Sequence, residues 1–298
     1  MPRLLLGRIL AVTLMLGGLT GFQEPPQEGG GSEIVVTGTR ELEGQIRDFV
    51  AALTAGQYGT QLSRFERAIC PMAIGLPEAQ RTFVAHRMRQ VAEAGGIAVG
   101  REQCTPNVLV VVTRDKRAFI EALQRQHSYY FGELSRREVR RLAELPGPAV
   151  AWQVQGSPVN AAGQELNREG ATGLYVNRTT TSPSRITAAA RPQFAAAMEI
   201  VEAGALVGLS TTQLADYAAM RAYARVDPTR LAATQAPTIL TVLEAPMGSA
   251  VPLTLTRWDL GFLRGLYESP PNLTAAADRS AIRRTVEDEL AQPESPRQ

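Results

Sequence analysis

One long apolar stretch constrains the fold of this chain more than any other feature. Residues Leu209 to Arg225 read LSTTQLADYAAMRAYAR, with small or apolar side chains on most sides of the helix they predict. Ser210 precedes Gln213 by three residues, the spacing of a capping box that satisfies amide groups at a helix start, and Pro228 prevents helix beyond the stretch. Because neighbours can approach such a helix on several faces, we expect a central helix around which the other elements pack.

The remaining elements alternate between helix and strand patterns. Apolar residues at three- and four-residue spacing predict helices at residues 41–54, 77–94, 115–126, 135–145, 257–267 and 275–291. Runs rich in β-branched residues predict strands at residues 60–69, 108–112, 149–154, 185–202 and 238–243, with a polar excursion, including a hairpin, at 156–184. These patterns predict an α+β fold: a single domain at residues 41–291 with a mixed sheet and a central helix.

The N-terminal region has the pattern of an export signal. In residues 1–22, two arginines flank the start of a short apolar run, Ile9 to Leu19, which is too short to span a bilayer comfortably. Residues 23–40 are predicted to be a flexible tether and residues 292–298 a disordered tail. We therefore expect a periplasmic or secreted protein without a transmembrane span in the mature chain. The alternative is a retained N-terminal anchor helix.

The chain contains two cysteines, Cys70 and Cys104. In the oxidising compartment that an export signal implies, such a pair most often forms one structural disulfide. Closing a loop of this length would contribute about 4 kcal/mol at most through chain entropy. The alternative is two free buried thiols. A metal-binding pair is not predicted, because the spacing of the two cysteines does not suit one.

Few residues in the sequence suggest chemistry. The net charge of +2 gives no strong attraction to nucleic acid. The two histidines, His86 and His127, are interpreted as structural, and no phosphate-binding loop, nucleophile elbow or zinc motif occurs. Glu199 and Glu202 do not predict a shared site, because residues three apart on a strand point to opposite faces. No catalytic residue, cofactor or metal ligand is predicted from these motifs.

Four arginines crowd one side of the predicted helix at residues 135–145: Arg136, Arg137, Arg140 and Arg141. We interpret them as a solvated helix face. The alternative is a surface that grips a phosphate or an acidic partner.

The C-terminal third resembles a known enzyme class. Leu255-Thr256-x-x-Asp259-x-x-x-Leu263-x-x-Leu266-Tyr267 is similar to the segment that follows the active-site helix in zincin metallopeptidases. The chain also resembles an exported proteobacterial family with the same ending. The resemblance covers about residues 100–270 and implies a zincin-like domain whose active-site helix is the central helix.

The zinc ligands of that class are absent from the matching positions. Zincins bind zinc through His-Glu-x-x-His, whereas the central helix has Gln213-Leu214-Ala215-Asp216-Tyr217. An alternative register, Val201 to Gly208, keeps a glutamate but has Val and Ala in place of the histidines. The resemblance therefore implies a zincin scaffold without its metal, from which no catalytic residue can be transferred.

A second, shorter resemblance lies before the domain. Ile34-Val35-Val36-Thr37-Gly38 resembles the TonB box of outer-membrane receptors, which follows the signal peptide on a loose tether. Such boxes bind by adding a strand to the TonB C-terminal sheet. The resemblance implies that residues 33–40 are extended and bind a TonB-like periplasmic partner, although no barrel of repeated amphipathic strands follows. The alternative is an ordinary first strand of the domain.

Three functions follow from these observations. The favoured one is a non-enzymatic periplasmic protein that acts through protein–protein contacts. The second is a hydrolase, a degenerate or unconventional peptidase, with Asp216, Glu202 or His86 at an unrecognised site. The third is a purely structural component of the cell envelope. Two histidines and the absence of a catalytic motif make the hydrolase the weaker hypothesis.

Overall fold

A computed structural model describes residues 31–55, 61–170, 172–178, 188–246 and 248–293, with the backbone alone at residues 31–37 and 233. The predicted export signal lies outside these residues. The chain divides into two units, residues 1–39 and 40–298. None of the helices in the described ranges is both long enough and apolar enough to cross a bilayer.

The described elements confirm an α+β fold. The helices are α1 (Gly31–Thr54), α2 (Glu78–Ala94), α3 (Lys116–Gln126), α4 (Arg136–Glu144), α5 (Thr211–Tyr223), α6 (Arg257–Glu268) and α7 (Ala275–Ala291). The strands are β1 (Pro71–Ile74), β2 (Val108–Thr113), β3 (Ala149–Gln155), β4 (Val159–Asn160), β5 (Asn167–Arg168), β6 (Tyr175–Val176), β7 (Ala190–Arg191) and β8 (Phe194–Glu202). Strands β5 and β6 form the antiparallel pair expected within the polar excursion.

A four-stranded mixed sheet lies at the centre of the second unit, in the order β1-β2-β8-β3. Strands β1, β2 and β8 run parallel, and β3 is antiparallel to β8 at one edge. The register places Val110 opposite Ala73 on one side and Glu199 on the other, and Glu199 opposite Ala151. Because parallel strands need a crossover connection, α2 joins β1 to β2.

Helices cover both faces of this sheet. The larger apolar cluster contains residues of α1, α2, α5, α6 and α7 together with alternate residues of β2 and β8. The smaller cluster contains Ile120 of α3, Val139 of α4 and Trp152 of β3. Helix α5 is the predicted central helix, since every residue from Gln213 to Tyr223 is buried. Both capping-box hydrogen bonds between Ser210 and Gln213 are present.

The first and last helices pack in the same layer. The ring of Phe49 in α1 meets the rings of Trp258 and Phe262 in α6 edge-on, at centroid distances of 5.4 and 6.1 Å. Arg279 of α7 donates a 2.9 Å hydrogen bond to the hydroxyl of Thr54 at the end of α1. The second unit is therefore closed by contacts between segments more than 200 residues apart.

Two glycines allow α6 and α7 to approach closely. A Cβ atom on Gly265 would lie 2.6 Å from the Cα of Ile282, and one on Gly261 would lie 2.8 Å from the Cα of Val286. Both neighbours are backbone atoms, which cannot move without shifting α7. The spacing of four residues places both glycines on the same face of α6.

Changing Gly265 to alanine should lower the free energy of unfolding by about 1–3 kcal/mol, because overpacking forces the two backbones apart. Urea denaturation of both proteins measures the change. Gly44→Ala in α1 is the matched control: its new Cβ would meet only the Arg47 side chain at 3.7 Å. The control should gain up to about 1 kcal/mol from helix propensity. A Gly265→Ala variant as stable as the natural protein would contradict the described packing of α6 on α7.

The predicted disulfide between Cys70 and Cys104 is confirmed, with their Cα atoms 6.0 Å apart. Cys70 directly precedes β1, and Cys104 lies in the connection from α2 to β2. Arg89 of α2 holds this connection, donating to the carbonyl of Gly100 at 2.6 Å and to the Cys104 sulfur at 3.0 Å. The disulfide therefore ties the start of the sheet to the loop beside it.

The prediction that residues 33–40 are extended is wrong. These residues belong to α1, which begins at Gly31 and includes the predicted helix at 41–54. Extending an existing helix adds one hydrogen bond per residue, whereas β-branched residues oppose helix by well under 1 kcal/mol each. The helix formed by the apolar stripe of residues 41–54 can therefore continue towards the N-terminus.

Two predicted strands are also wrong. Residues 61–69 contain only isolated bridges, at Arg64 and Ile69, and the first strand begins at Pro71. The buried guanidinium of Arg64 holds its segment by donating to the carbonyls of Leu266 and Ser269. This stretch is thus held by side-chain hydrogen bonds and isolated bridges and not by a continuous strand ladder.

The second of these strands, predicted at residues 238–243, is replaced by a 3-10 turn at Ile239–Thr241. The Asp259 carboxylate accepts from the Ile239 amide at 2.9 Å, and the Thr238 hydroxyl accepts from the Leu240 amide at 3.2 Å. Side chains therefore take the amides that a strand partner would otherwise bind.

Candidate functional site

On the zincin resemblance, the metal-binding positions would fall on the central helix, at Gln213 and Tyr217. Gln213 and Tyr217 lie one helical turn apart and are only 4% and 1% exposed. The Gln213 side-chain oxygen accepts from the Ser210 amide at 2.9 Å, and its nitrogen donates to the Pro252 carbonyl at 2.9 Å. Both ends of this side chain are therefore used, one to cap α5 and the other to fasten the segment that precedes α6.

Asp216, one of the candidate hydrolase residues, is a structural anchor. Its buried carboxylate accepts from Arg87 of α2 at 2.7 and 3.1 Å, from the Thr254 hydroxyl at 2.6 Å and from the Leu255 amide at 2.6 Å. Four donors leave little lone-pair capacity for a substrate. Asp216 joins α5, α2 and the segment before α6, and it is not placed to act as a general base.

These residues do not fit a zinc ion. The zincin resemblance would require two imidazoles and a carboxylate in the places of Gln213, Tyr217 and Leu214. Those places hold an amide that is already hydrogen-bonded, a buried phenol and an aliphatic side chain. In the ranges that the structure describes, no group of three or more His, Cys, Asp or Glu side chains is arranged to hold a metal. The alternative register fails as well, since Val201 and Glu202 belong to β8 and a 3-10 turn follows them.

A buried charge pair lies between the sheet and α5. Glu199 of β8 is fully buried, and its Oε2 lies 3.4 Å from Nε of Arg221 in α5. The other oxygen, Oε1, has no hydrogen-bond partner. Burial raises the pKa of the Glu199 carboxyl to about 7, although the charge of Arg221 opposes the rise. The carboxyl therefore changes its charge near neutral pH in a place without solvent access.

Two further side chains complete this cluster. The Tyr217 ring lies 5.9 Å from the Arg221 guanidinium carbon. Gln153 of β3 donates to the carbonyls of Arg221 and Ala224 at 2.8 and 3.3 Å, which satisfies two carbonyls at the end of α5. A perturbed pKa often marks a catalytic group. The Glu199 carboxyl is inaccessible to substrate, however, so we interpret it as a structural group.

Sequence reasoning missed the pair of Glu199 and Arg221. It considered Glu199 only with Glu202, and the structure confirms that these two point away from each other: Glu202 accepts from the Lys116 amide at the start of α3. A usable signal was present, because each member is a charged residue with apolar neighbours on both sides in a largely apolar stretch. Buried charges are almost always paired.

The three candidate hydrolase residues are not brought together. Asp216 is a buried residue of α5 that binds Arg87, Glu202 accepts from the Lys116 amide at the start of α3, and His86 is exposed on α2. Within the described residues, no hydrogen bond or ion pair joins any two of them. His127 is also exposed, at the end of α3.

His86 lines a groove of 430 Å³ between α2 and the edge strand β1. Met72 and Ile74 of β1 are partly exposed there, but Ala73 between them is only 3% exposed.

The predicted binding residues Ile34, Val35, Val36, Thr37 and Gly38 have helical backbone. Gly38 is exposed. Their proposed role in binding stays a prediction, since it depends on a partner.

Comparison with known proteins adds no assignment to this geometry. No protein-family model, no curated protein and no solved structure matches the chain. Function is therefore inferred from the residues and their contacts.

Proposed function

We propose that this chain is an exported periplasmic protein that acts through protein–protein contacts and not through catalysis. The observation that carries the proposal is the state of the central helix. Gln213, Asp216 and Arg221 are all buried and bonded to other parts of the fold. A catalytic group has to reach a substrate, and none of these three side chains can. The separation of Asp216, Glu202 and His86 opposes the alternative of a hydrolase.

The partner proposed for the N-terminal segment is a TonB-like periplasmic protein. Support comes from the sequence Ile34 to Gly38 and its place after a predicted export signal. Because the segment is helical in the structure, binding by strand addition requires residues 31–38 to leave α1. Four β-branched residues and two glycines in this segment are weak helix formers, so unwinding costs little. The part of α1 that contributes Ile46, Phe49 and Leu53 to the core can remain intact.

A proline at Val36 should reduce binding to a purified TonB C-terminal domain at least about tenfold, because proline removes a backbone donor that an added strand uses. Biolayer interferometry with the immobilised partner measures the affinity. Val36→Thr is the matched control, since threonine is β-branched and keeps its amide; its affinity should stay within about twofold. Both variants should unfold at the temperature of the natural protein, since the change lies outside the second unit.

Three results would each contradict one part of the proposal. Equal binding by Val36→Pro and the natural protein would eliminate the TonB-type partner. A lower unfolding temperature for Val36→Pro would show that the segment supports the domain. One tightly bound zinc per chain, with peptidase activity lost in His86→Ala or His127→Ala, would overturn the non-enzymatic assignment. Metal analysis and a peptide-hydrolysis assay on the purified protein provide that measurement.

A further inference from the structure

Helix α4 presents four arginines to solvent. Arg136, Arg137, Arg140 and Arg141 form this basic face, opposite the buried Val139 and Ala143. Among the described residues, no carboxylate lies within ion-pair distance of any of the four guanidinium groups. The nearby Glu138 carboxylate is held by the capping box, accepting from the Ser135 amide and hydroxyl at 2.7 and 2.6 Å.

Repulsion between the arginines of the basic face destabilises α4. Arg136 and Arg140 are four residues apart, as are Arg137 and Arg141, so like charges are neighbours along the helix surface. Some other exposed arginines of the second unit have acidic partners, such as Arg117 with Glu121, whereas Arg114 and Arg125 have no ion-pair partner among the described residues. The basic face differs in that four exposed arginines lie together on one side of a single helix, a concentration of positive charge that favours an external anion.

A cavity of 590 Å³ adjoins the basic face, between α3 and α4. Its polar rim includes Arg125, Ser128 and Arg136, and Phe131, Leu134 and Val139 provide apolar lining. Arg125 is exposed, as Arg136 is. Phe131 and Val139 are each only 2% exposed, so the accessible lining is mainly polar. Two guanidinium groups at such a polar rim suit the phosphate of a lipid headgroup.

Exposed apolar side chains flank the same region. Tyr129 follows Ser128 and is 67% exposed, with its ring 4.4 Å from that of Tyr130. Leu145 directly follows α4 and is 46% exposed. Tyrosine and aliphatic side chains beside arginines are typical of surfaces that lie in the interface of a membrane.

We propose that α4 and the adjoining cavity dock this protein on an anionic phospholipid bilayer. The four arginines of the basic face pair with lipid phosphates, and Tyr129 and Leu145 enter the headgroup region. The exposed apolar flanks favour a bilayer over a soluble polyanion, which offers nothing to bury them. This inference is independent of the partner proposed for residues 33–40.

Co-sedimentation of the full chain with lipid vesicles tests the proposal. Binding to 70:30 phosphatidylcholine:phosphatidylglycerol vesicles at 50 mM NaCl should exceed binding to pure phosphatidylcholine at least about tenfold, and it should weaken at 300 mM NaCl. Changing all four arginines of the basic face to glutamine should reduce the partition coefficient at least about thirtyfold. Tyr129→Ser with Leu145→Ser should reduce it a few-fold at either salt concentration.

The matched control changes four other exposed arginines to glutamine: Arg47, Arg67, Arg81 and Arg230. It has the same net charge as the basic-face variant and should keep most of the vesicle binding. Thermal unfolding checks that the basic-face variant is folded, and relief of like-charge repulsion should leave its stability unchanged or higher. Equal loss in both quadruple variants, or binding to inorganic polyphosphate but not to anionic vesicles, would overturn the proposal.

Discussion

Changing Arg191 to methionine should lower the free energy of unfolding by about 3–5 kcal/mol, the cost of breaking a buried ion pair. Arg191 of β7 is fully buried, and its guanidinium donates to the carbonyls of Pro270 and Pro271, each at 2.8 Å. The Asp278 carboxylate lies 3.4 Å away in α7. Methionine has a similar length but leaves two carbonyls without the guanidinium donor and the buried Asp278 carboxylate without its counter-charge, and among the described residues only the Ser269 hydroxyl still donates to that carboxylate, at 3.0 Å.

Urea denaturation at pH 7 measures this loss. Arg168→Met is the control, because Arg168 forms an exposed pair with Glu133 at 2.7 Å, and such pairs contribute about 1 kcal/mol or less. A loss below about 1 kcal/mol for Arg191→Met would show that water or a neighbouring donor replaces the guanidinium. The larger expected loss would establish Arg191 as the main link between β7 and the start of α7.

Changing Arg221 to methionine should also cost about 3–5 kcal/mol at pH 8, and clearly less at pH 5. The reason is the ionisation of Glu199. Its pKa is raised from 4.5 to about 7 by burial, so the folded state binds the proton up to a higher pH than the unfolded state. This difference in proton binding by Glu199 stabilises the folded state. Its contribution is fully present below pH 4.5 and declines as the pH rises to about 7. Without Arg221, the pKa of the Glu199 carboxyl rises further. At pH 8 the folded variant must therefore either bury an unpaired carboxylate or take up a proton that the unfolded chain has lost.

Urea denaturation of both proteins at pH 5 and pH 8 tests this dependence. The double variant Glu199→Gln with Arg221→Met should recover much of the loss at pH 8, because it removes both charges and leaves a neutral amide. If Arg221→Met loses the same free energy at both pH values, then Glu199 does not change its charge in this range. The loss would then come from interactions that do not depend on pH in this range, such as the 3.1 Å hydrogen bond from Arg221 to the Val226 carbonyl.

The sequence predicted those parts of the fold that depend on neighbouring residues. Helix α4 begins where Ser135 and Glu138 form a capping box, and α5 begins where Ser210 and Gln213 form another. Both members of each box lie within four residues of one another, so the hydrogen bonds that start the helix can be inferred from spacing. The strand at residues 108–112 was predictable because a continuous β-branched run suits a strand buried on both faces.

The errors arose where distant side chains determine the backbone. The turn at Ile239–Thr241 depends on Asp259, which lies 20 residues further along the chain from Ile239. The buried pair joins residues 22 apart, Glu199 and Arg221. Arg191 binds the backbone carbonyls of Pro270 and Pro271, about 80 residues away. A carbonyl is common to every residue type, so no sequence pattern identifies it as a partner.

The packing of α1 against α6 also sets the order in which the chain can fold during its synthesis. Trp258 lies 209 positions after Phe49, so it is synthesised about 10–40 s later at typical rates of about 5–20 residues per second. The two rings cannot pack against each other before then. Until then the contact between α1 and α6 is missing, and this part of the native core is incomplete. Such a delay would suit the proposed export, because the N-terminus leaves the ribosome before this part of the core can form.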